Sequence, residues 1–268
     1  MIRPLLLIAR RELVAQRNAT LGWLVPLALL MMMYASLQPQ VAGDNGLLAA
    51  KLAVLPEGLK QAFNLNTTDF SRPVGYLSTN FIVVTLGASL FAGLLGANVV
   101  AREDAQRTSE SVLTLPVERW QVLGGKLLAA LTWLSVFFVV VGLAVAGSLA
   151  RVAAQPVEGG LIASMFLGAF LLGVFFLAAG LLGATVLQAR VAPSMAMGLV
   201  LGTYFLGVIS KVSPKAEGAG ALSPYRLVEP ADIVQAGGLE PRAAALVVVS
   251  MVLLAGAFVW FSRKDVHA

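Results

Sequence analysis

The sequence contains no cysteine and a single histidine, His267, beside its last residue. Disulfides, thiolate metal sites and cysteine nucleophiles are excluded, and a histidine-based metal or acid–base constellation with them. Charge is scarce too. Only 12% of residues are Asp, Glu, Lys or Arg, about half of what a soluble domain carries, while 58% are hydrophobic. So little charge cannot cover a water-facing surface for 268 residues, which argues against a soluble enzyme. The high hydrophobicity argues against a disordered chain. A polytopic membrane protein remains.

The few charges partition the chain. Charge-free windows run 18–43, 73–101, 127–150, 159–189, 191–210 and 243–262, each of at least 20 residues. About 20 apolar residues cross a hydrocarbon core as a helix. The windows predict six transmembrane helices, at about Thr20–Leu37, Gly75–Ala101, Leu127–Ala150, Gly160–Gln188, Val191–Ser210 and Ala243–Phe261. They are apolar all round, without the polar stripe of a water-facing helix or the alternation of a barrel strand. The expected fold is all-α, one domain over 1–268, with extracytoplasmic segments at 38–74 and 211–241. No turn signal interrupts 159–189, so it is read as one tilted span, and Pro193 falls in the first turn of the next helix.

Orientation follows from Lys and Arg. With the N-terminus inside, the inner segments hold 11 basic residues over roughly 55 positions and the outer ones 8 over roughly 80. Both termini are expected in the cytoplasm. The net charge of +5 then lies on the inner side and reads as topology and headgroup contact, not nucleic-acid binding. A cleavable signal peptide is not expected, because Arg10, Arg11 and Glu12 interrupt its apolar core. Instead Ile2, Leu6, Ala9 and Leu13 recur at helical spacing up to the polar Gln16, with Arg3, Arg10 and Arg17 seven apart beside them. Residues 1–18 are therefore expected as an amphipathic interfacial helix leading into the first span.

The spans as drawn contain no ionisable residue, which disfavours proton-coupled carriers, pumps and voltage sensors. An intramembrane enzyme lacks its carboxylate pair or histidine cluster. Gly142 with Ala146, and Gly198 with Gly202, form small-residue pairs that permit close helix packing, and Gly93, Gly96, Ala97, Gly180 and Gly183 cluster similarly. Gly124-Gly125-Lys126 lacks the spacing of a phosphate-binding loop, so any nucleotide would be hydrolysed by another chain. Phe63, Phe70 and Tyr76 suit a membrane interface.

The most informative loop is AREDAQRTSESVLTLPVERWQVLGGK, 101–126, cytoplasmic by the charge count. Ser109–Leu115 reads as a short helix with Val112 and Leu113 on one side, ended by Pro116. Here the sequence resembles the membrane subunits of type-2 ABC exporters, whose pattern is like Glu-x-x-x-Gly-Thr-x-Glu-x-Leu-x-x-x-Pro-x-x-Arg, with a Gly-Lys at the next span. Glu103, Thr108, Glu110, Pro116 and Arg119 match, followed by Gly125-Lys126. Arg107 stands where the family usually has glycine, and Val112, beside Leu113, fills the leucine position. The resemblance extends to Ala-Arg-Arg-Glu-Leu at 9–13, to the outer stretches 55–65 and 221–237, and to the six spans. It is similar to the short permeases with a separately encoded ATPase, including those serving nitrous oxide reductase maturation.

The resemblance implies a permease subunit of an ATP-driven exporter, and the alanine-rich, arginine-over-lysine usage points to a bacterial cytoplasmic membrane. Two permease chains, identical or not, would sit above two ABC ATPase subunits that carry ATP and Mg; this chain itself would hold no cofactor and catalyse nothing. Residues 102–120 would form the cytoplasmic coupling loop, with Glu103, Arg107, Thr108, Glu110 and Arg119 as polar contacts, Val112, Leu113 and Leu115 as apolar ones, and Pro116 as the stop. A membrane regulatory or assembly factor working with an ATPase is the alternative.

Overall fold

The computed structural model describes residues 2–43, 50, 52–66, 68–106, 119–153 and 155–263, with backbone alone for 2–4, 100–106, 119 and 214. It is all-α. The described helices are α1 (Ile2–Gly43), α2 (Glu57–Ala62), α3 (Pro73–Asn80), α4 (Ile82–Gln106), α5 (Arg119–Val152), α6 (Gly159–Val186), α7 (Ala192–Val212), α8 (Pro230–Ala236) and α9 (Ala244–Arg263). Short 3-10 turns at Pro214–Leu222, Pro224–Val228 and Pro241–Ala243 join the last three. Six of these helices are long and apolar enough to cross a membrane: α1, α4, α5, α6, α7 and α9.

The spans follow the charge-free windows, but several are longer. The first is part of one 42-residue helix. At about 1.5 Å per residue α1 reaches about 63 Å, twice a hydrocarbon core. The expected interfacial helix is thus not set off by any break: helix continues from Ile2 past Arg17 and Thr20 into the span. The second window is divided at Phe81, which keeps helical angles (φ −66°, ψ −14°) between α3 and α4. Ser78, Thr79 and Asn80 precede this break, and Ser78 and Asn80 bond back to the carbonyls of Gly75 and Tyr76. Such back-bonding competes with the helical ladder and bends it. α5 begins at Arg119, eight residues before the expected Leu127, and so takes Lys126 into the helix. α6 is one uninterrupted span, and Pro193 is in the first turn of α7, both as expected.

α6 is the hub. It lies along α4, and α5, α7 and α9 pack around it; α1 lies along α5. The α4–α6 crossing brings backbones into contact. A Cβ added at Gly96 would lie 2.1 Å from the Leu177 carbonyl oxygen, and one at Gly180 would lie 2.3 Å from that of Gly93. Only hydrogen fits there. Aromatic rings tie the other helices together. Trp23 of α1 meets Phe91 of α4 with centroids 6.4 Å apart, Phe91 stacks on Phe137 of α5 at 5.3 Å, and Phe138 meets Phe170 of α6 edge-on at 5.9 Å. In lipid such packing, not water exclusion, holds helices together.

The face of α1 turned to α5 differs from the stripe drawn in the sequence. Ala9, Gln16, Thr20, Leu24, Met31, Ala35 and Gln38 are buried, at steps of three, four and seven residues. Leu6 is 52% exposed, while Gln16, read as the end of the stripe, is 4% exposed. Gln16 donates weakly to Glu12 at 3.4 Å. Arg10 and Arg17 face outward, and Arg3 lies in the first turn.

Candidate functional site

Two ends of the bundle concentrate the polar chemistry. At one end the start of α1 and the end of α4 meet the start of α5. Glu103 lies in the last turn of α4 and Arg119 is the first residue of α5. The rest of the expected coupling set, Arg107, Thr108, Glu110, Val112, Leu113, Leu115 and Pro116, falls at 107–118, outside the described residues. The structure does show how the flanks of this stretch are held. Lys126 of α5 is 3% exposed, and its Nζ donates 2.8 Å to the Val99 carbonyl of α4. Gly125 receives α1: a Cβ there would lie 2.7 Å from the Leu5 carbonyl oxygen and 3.0 Å from Ile8 Cβ. Farther along α5, Trp133 Nε1 donates 3.0 Å to the Leu13 carbonyl of α1. The sequence placed Lys126 at the membrane boundary; burial against α4 was not visible in it.

At the far end the bundle is capped. α2 lies against the end of α7, where a Cβ at Gly58 would meet Val212 at 3.2 Å. The segment after α2 carries Asn64 at φ 54°. Glu229, at the residue before α8, accepts a hydrogen bond from Asn64 Nδ2 at 2.5 Å, and its same oxygen pairs with Lys211 Nζ at the end of α7. The Lys211 and Glu229 side chains are 18% and 15% exposed. One carboxylate oxygen therefore joins three segments distant in sequence. Beneath it is a cavity of about 80 Å³ lined by Ser78, Thr79, Thr85, Leu172, Tyr204 and Tyr225, among others. Tyr225 meets Tyr204 and Phe176 with centroids 5.5 and 5.6 Å apart. Burial pushes the Tyr225 phenol well above its ordinary range, which Ser89 offsets in part. The ring stays protonated and neutral, as an enclosed site demands.

Half-exposed ion pairs ring the cap. Arg72 pairs with Glu158 at 2.6 Å, joining the start of α3 to the start of α6, and Arg242 reaches Asp232 at 2.6 Å and Glu240 at 2.7 Å. Asp69 accepts from Ser71 N and Oγ, at 3.0 and 2.5 Å. Those bonds hold its carboxyl below the usual carboxylate range. The Lys60 ammonium and then Asn66 do the same for Glu57. Of the aromatics expected at the interface, Phe63 is 42% exposed but Tyr76 is only 7% exposed, inside the bundle.

The small-residue pairs separate. Gly142 and Ala146 line an apolar groove of about 470 Å³ between α5 and α6, and a Cβ at Gly142 would rest 3.5 Å from the Phe166 ring. Gly198 and Gly202 face open space, with nothing within 4 Å.

Among the described residues no three carboxylates or imidazoles gather in a way that could hold a metal ion. Their arrangement is that of a multi-pass membrane bundle: a polar cap at one end, and a buried lysine beside a charged connection at the other. Its family is the one the loop motif indicated. The profile described as ABC-2 family transporter protein matches residues 8–266, nearly the whole chain, and the chain belongs to this family of ABC-transporter membrane permeases. No curated protein matches it.

Proposed function

We propose that this chain is the membrane half of an ATP-driven exporter, in the short form whose ATPase is a separate subunit, similar in build to the permeases serving nitrous oxide reductase maturation. The observation that carries the reading is the family match over 8–266 together with the charged 102–120 connection between α4 and α5. In this reading 102–120 is cytoplasmic and docks on the ATPase, with Glu103, Arg107, Thr108, Glu110 and Arg119 as its polar contacts, Val112, Leu113 and Leu115 as its apolar ones, and Pro116 as the stop of its short helix. Mixed charge beside an apolar face suits docking into a partner's cleft. ATP and Mg reside on that partner.

Both termini then face the cytoplasm of a bacterial cell, and the cap with Glu229, Lys211 and Asn64 faces outward. A second permease chain completes the pathway, and the strip at Gly198 and Gly202 is one place where a helix backbone could approach closely. ATP binding acts on the loop by favouring one of two conformations, which requires different contacts in each.

The test is a double charge reversal, Glu103→Lys with Glu110→Lys, in the complex purified with its ATPase. Membrane insertion should be unchanged, while the stimulation of ATP hydrolysis by the permease should fall at least fivefold. Unchanged stimulation would remove these two residues from the contact. ATP hydrolysis without movement of any solute into vesicles would favour the regulatory or assembly role.

A further inference from the structure

Gly125 and Lys126 lie where three helices meet. Lys126 has given up water almost entirely, at 3% exposure. A buried ammonium needs acceptors for its donors, and the Val99 carbonyl provides one across the α4–α5 gap at 2.8 Å. The position is symmetric about the loop. Val99 lies seven residues before the end of α4 at Gln106, and Lys126 seven residues after the start of α5 at Arg119. Each helix therefore extends roughly 10 Å beyond the clamp, about two turns. The preceding residue joins the third helix, since the space above Gly125 is filled by the Leu5 backbone of α1. Trp133 adds a second tie between α1 and α5 through the Leu13 carbonyl.

Nothing in membrane topology requires this burial. A lysine that only marked the inner boundary would reach the headgroups along its own flexible stem. Here the ammonium instead turns inward, against a backbone oxygen one helical turn before Glu103. A charge-assisted bond in a low-dielectric setting is stronger than its equivalent in water. It also constrains how the two helices move. If the ends of α4 and α5 were free of each other, a push on the loop between them would be absorbed by bending one helix.

We propose that Lys126 is a positioning residue that clamps α4 to α5 beneath the loop, so that force applied there moves α4, α5 and, through Gly125, α1 as one body. This rests on the reading of 102–120 as the ATPase contact. The lysine itself touches no nucleotide and no cargo; it acts through the helices it joins.

The chain has no cysteine, so introduced thiols report without background. One nitroxide pair, at Asn98→Cys and Leu128→Cys, reads the α4–α5 separation beside the clamp. A second, at Leu59→Cys and Leu222→Cys, reads the far-end cap. Distances are measured by pulsed electron resonance on the full complex with its ATPase, with and without ATP and vanadate. In the otherwise unaltered chain the first pair should give a narrow distribution and the second should shift with ATP and vanadate. Lys126→Met should leave basal ATP hydrolysis within twofold, broaden the first distribution at least twofold, and cut the population shifted at the cap at least threefold. Lys126→Arg, which keeps the charge and the donors, should restore both distances. If Lys126→Met does not reach the membrane, Lys126→Gln is read by the same criteria. A variant with an unbroadened first pair and a full shift at the cap overturns the proposal. Absence of any ATP-dependent shift in the unaltered chain would instead count against the ATPase reading, and the width of the first pair alone would then decide the clamp.

Discussion

The α4–α6 crossing can be tested by adding one carbon. In Gly96→Ala the new Cβ would lie 2.1 Å from the Leu177 carbonyl oxygen, 2.9 Å from its carbon and 3.0 Å from the Leu181 nitrogen. An ordinary carbon–oxygen contact is about 3.3 Å, so the two helices must part by about 1 Å. All three obstacles are backbone, and no rotamer change relieves them. Overpacking costs about 1–3 kcal/mol, occasionally more, and this geometry belongs at the upper end. Alanine recovers up to about 1 kcal/mol of helix propensity, leaving a net loss of about 2 kcal/mol. For a chain of this size that lowers the unfolding midpoint by about 4–8 °C. Gly22→Ala and Gly147→Ala are the controls, because neither new Cβ would meet an atom within 4 Å. They should be neutral to slightly stabilising. Thermal unfolding followed by tryptophan fluorescence in one detergent compares all three. A Gly96→Ala midpoint equal to the controls would refute backbone contact between α4 and α6.

The cap gives two further expectations. Glu229→Gln keeps a partner for Asn64 but leaves the Lys211 ammonium without its ion pair; because both groups retain some water, the loss should be about 1–2 kcal/mol rather than that of a fully buried pair, seen as faster hydrogen exchange over 56–66 and 224–236. Asp69 and Glu57 have carboxyls depressed in the folded state, so their contribution is present at neutral pH and is lost as pH falls through the depressed values. Protection factors over 52–80, exchange corrected for its intrinsic pH dependence, should therefore be flat down to the ordinary carboxylate range, roughly pH 4, and fall below it; a fall centred above pH 5 would contradict the assignment.

Much of the fold was legible because charge marks what lipid excludes. Arg190 between two apolar windows is enough to separate α6 from α7, and the windows at 127–150 and 243–262 each became one helix. What hydropathy could not show was which side of each helix faces protein. Lipid and a neighbouring helix are equally apolar, so no moment separates them. Gln16 consequently read as the end of the stripe, and Thr20 and Gln38 only as bounds of the first span, although all three lie on the buried face of α1. Gly198-Gly202 and Gly96 looked alike as small residues, yet only Gly96 meets a backbone. At the cap, Glu229 is bonded by Asn64, 165 residues away, and no local pattern announces such a partner. The Lys126 contact was hidden for a related reason: a basic residue at a span edge has the same sequence signature whether it snorkels outward or turns inward.

The account depends on which side of the membrane carries the stretch between α4 and α5. Single thiols at Ser109→Cys and at the 75%-exposed Leu222→Cys, in intact cells treated with a membrane-impermeant maleimide, measure this directly. Labelling at 222 from outside, with 109 reached only after permeabilisation, is the predicted result; labelling of 109 in intact cells would contradict the account.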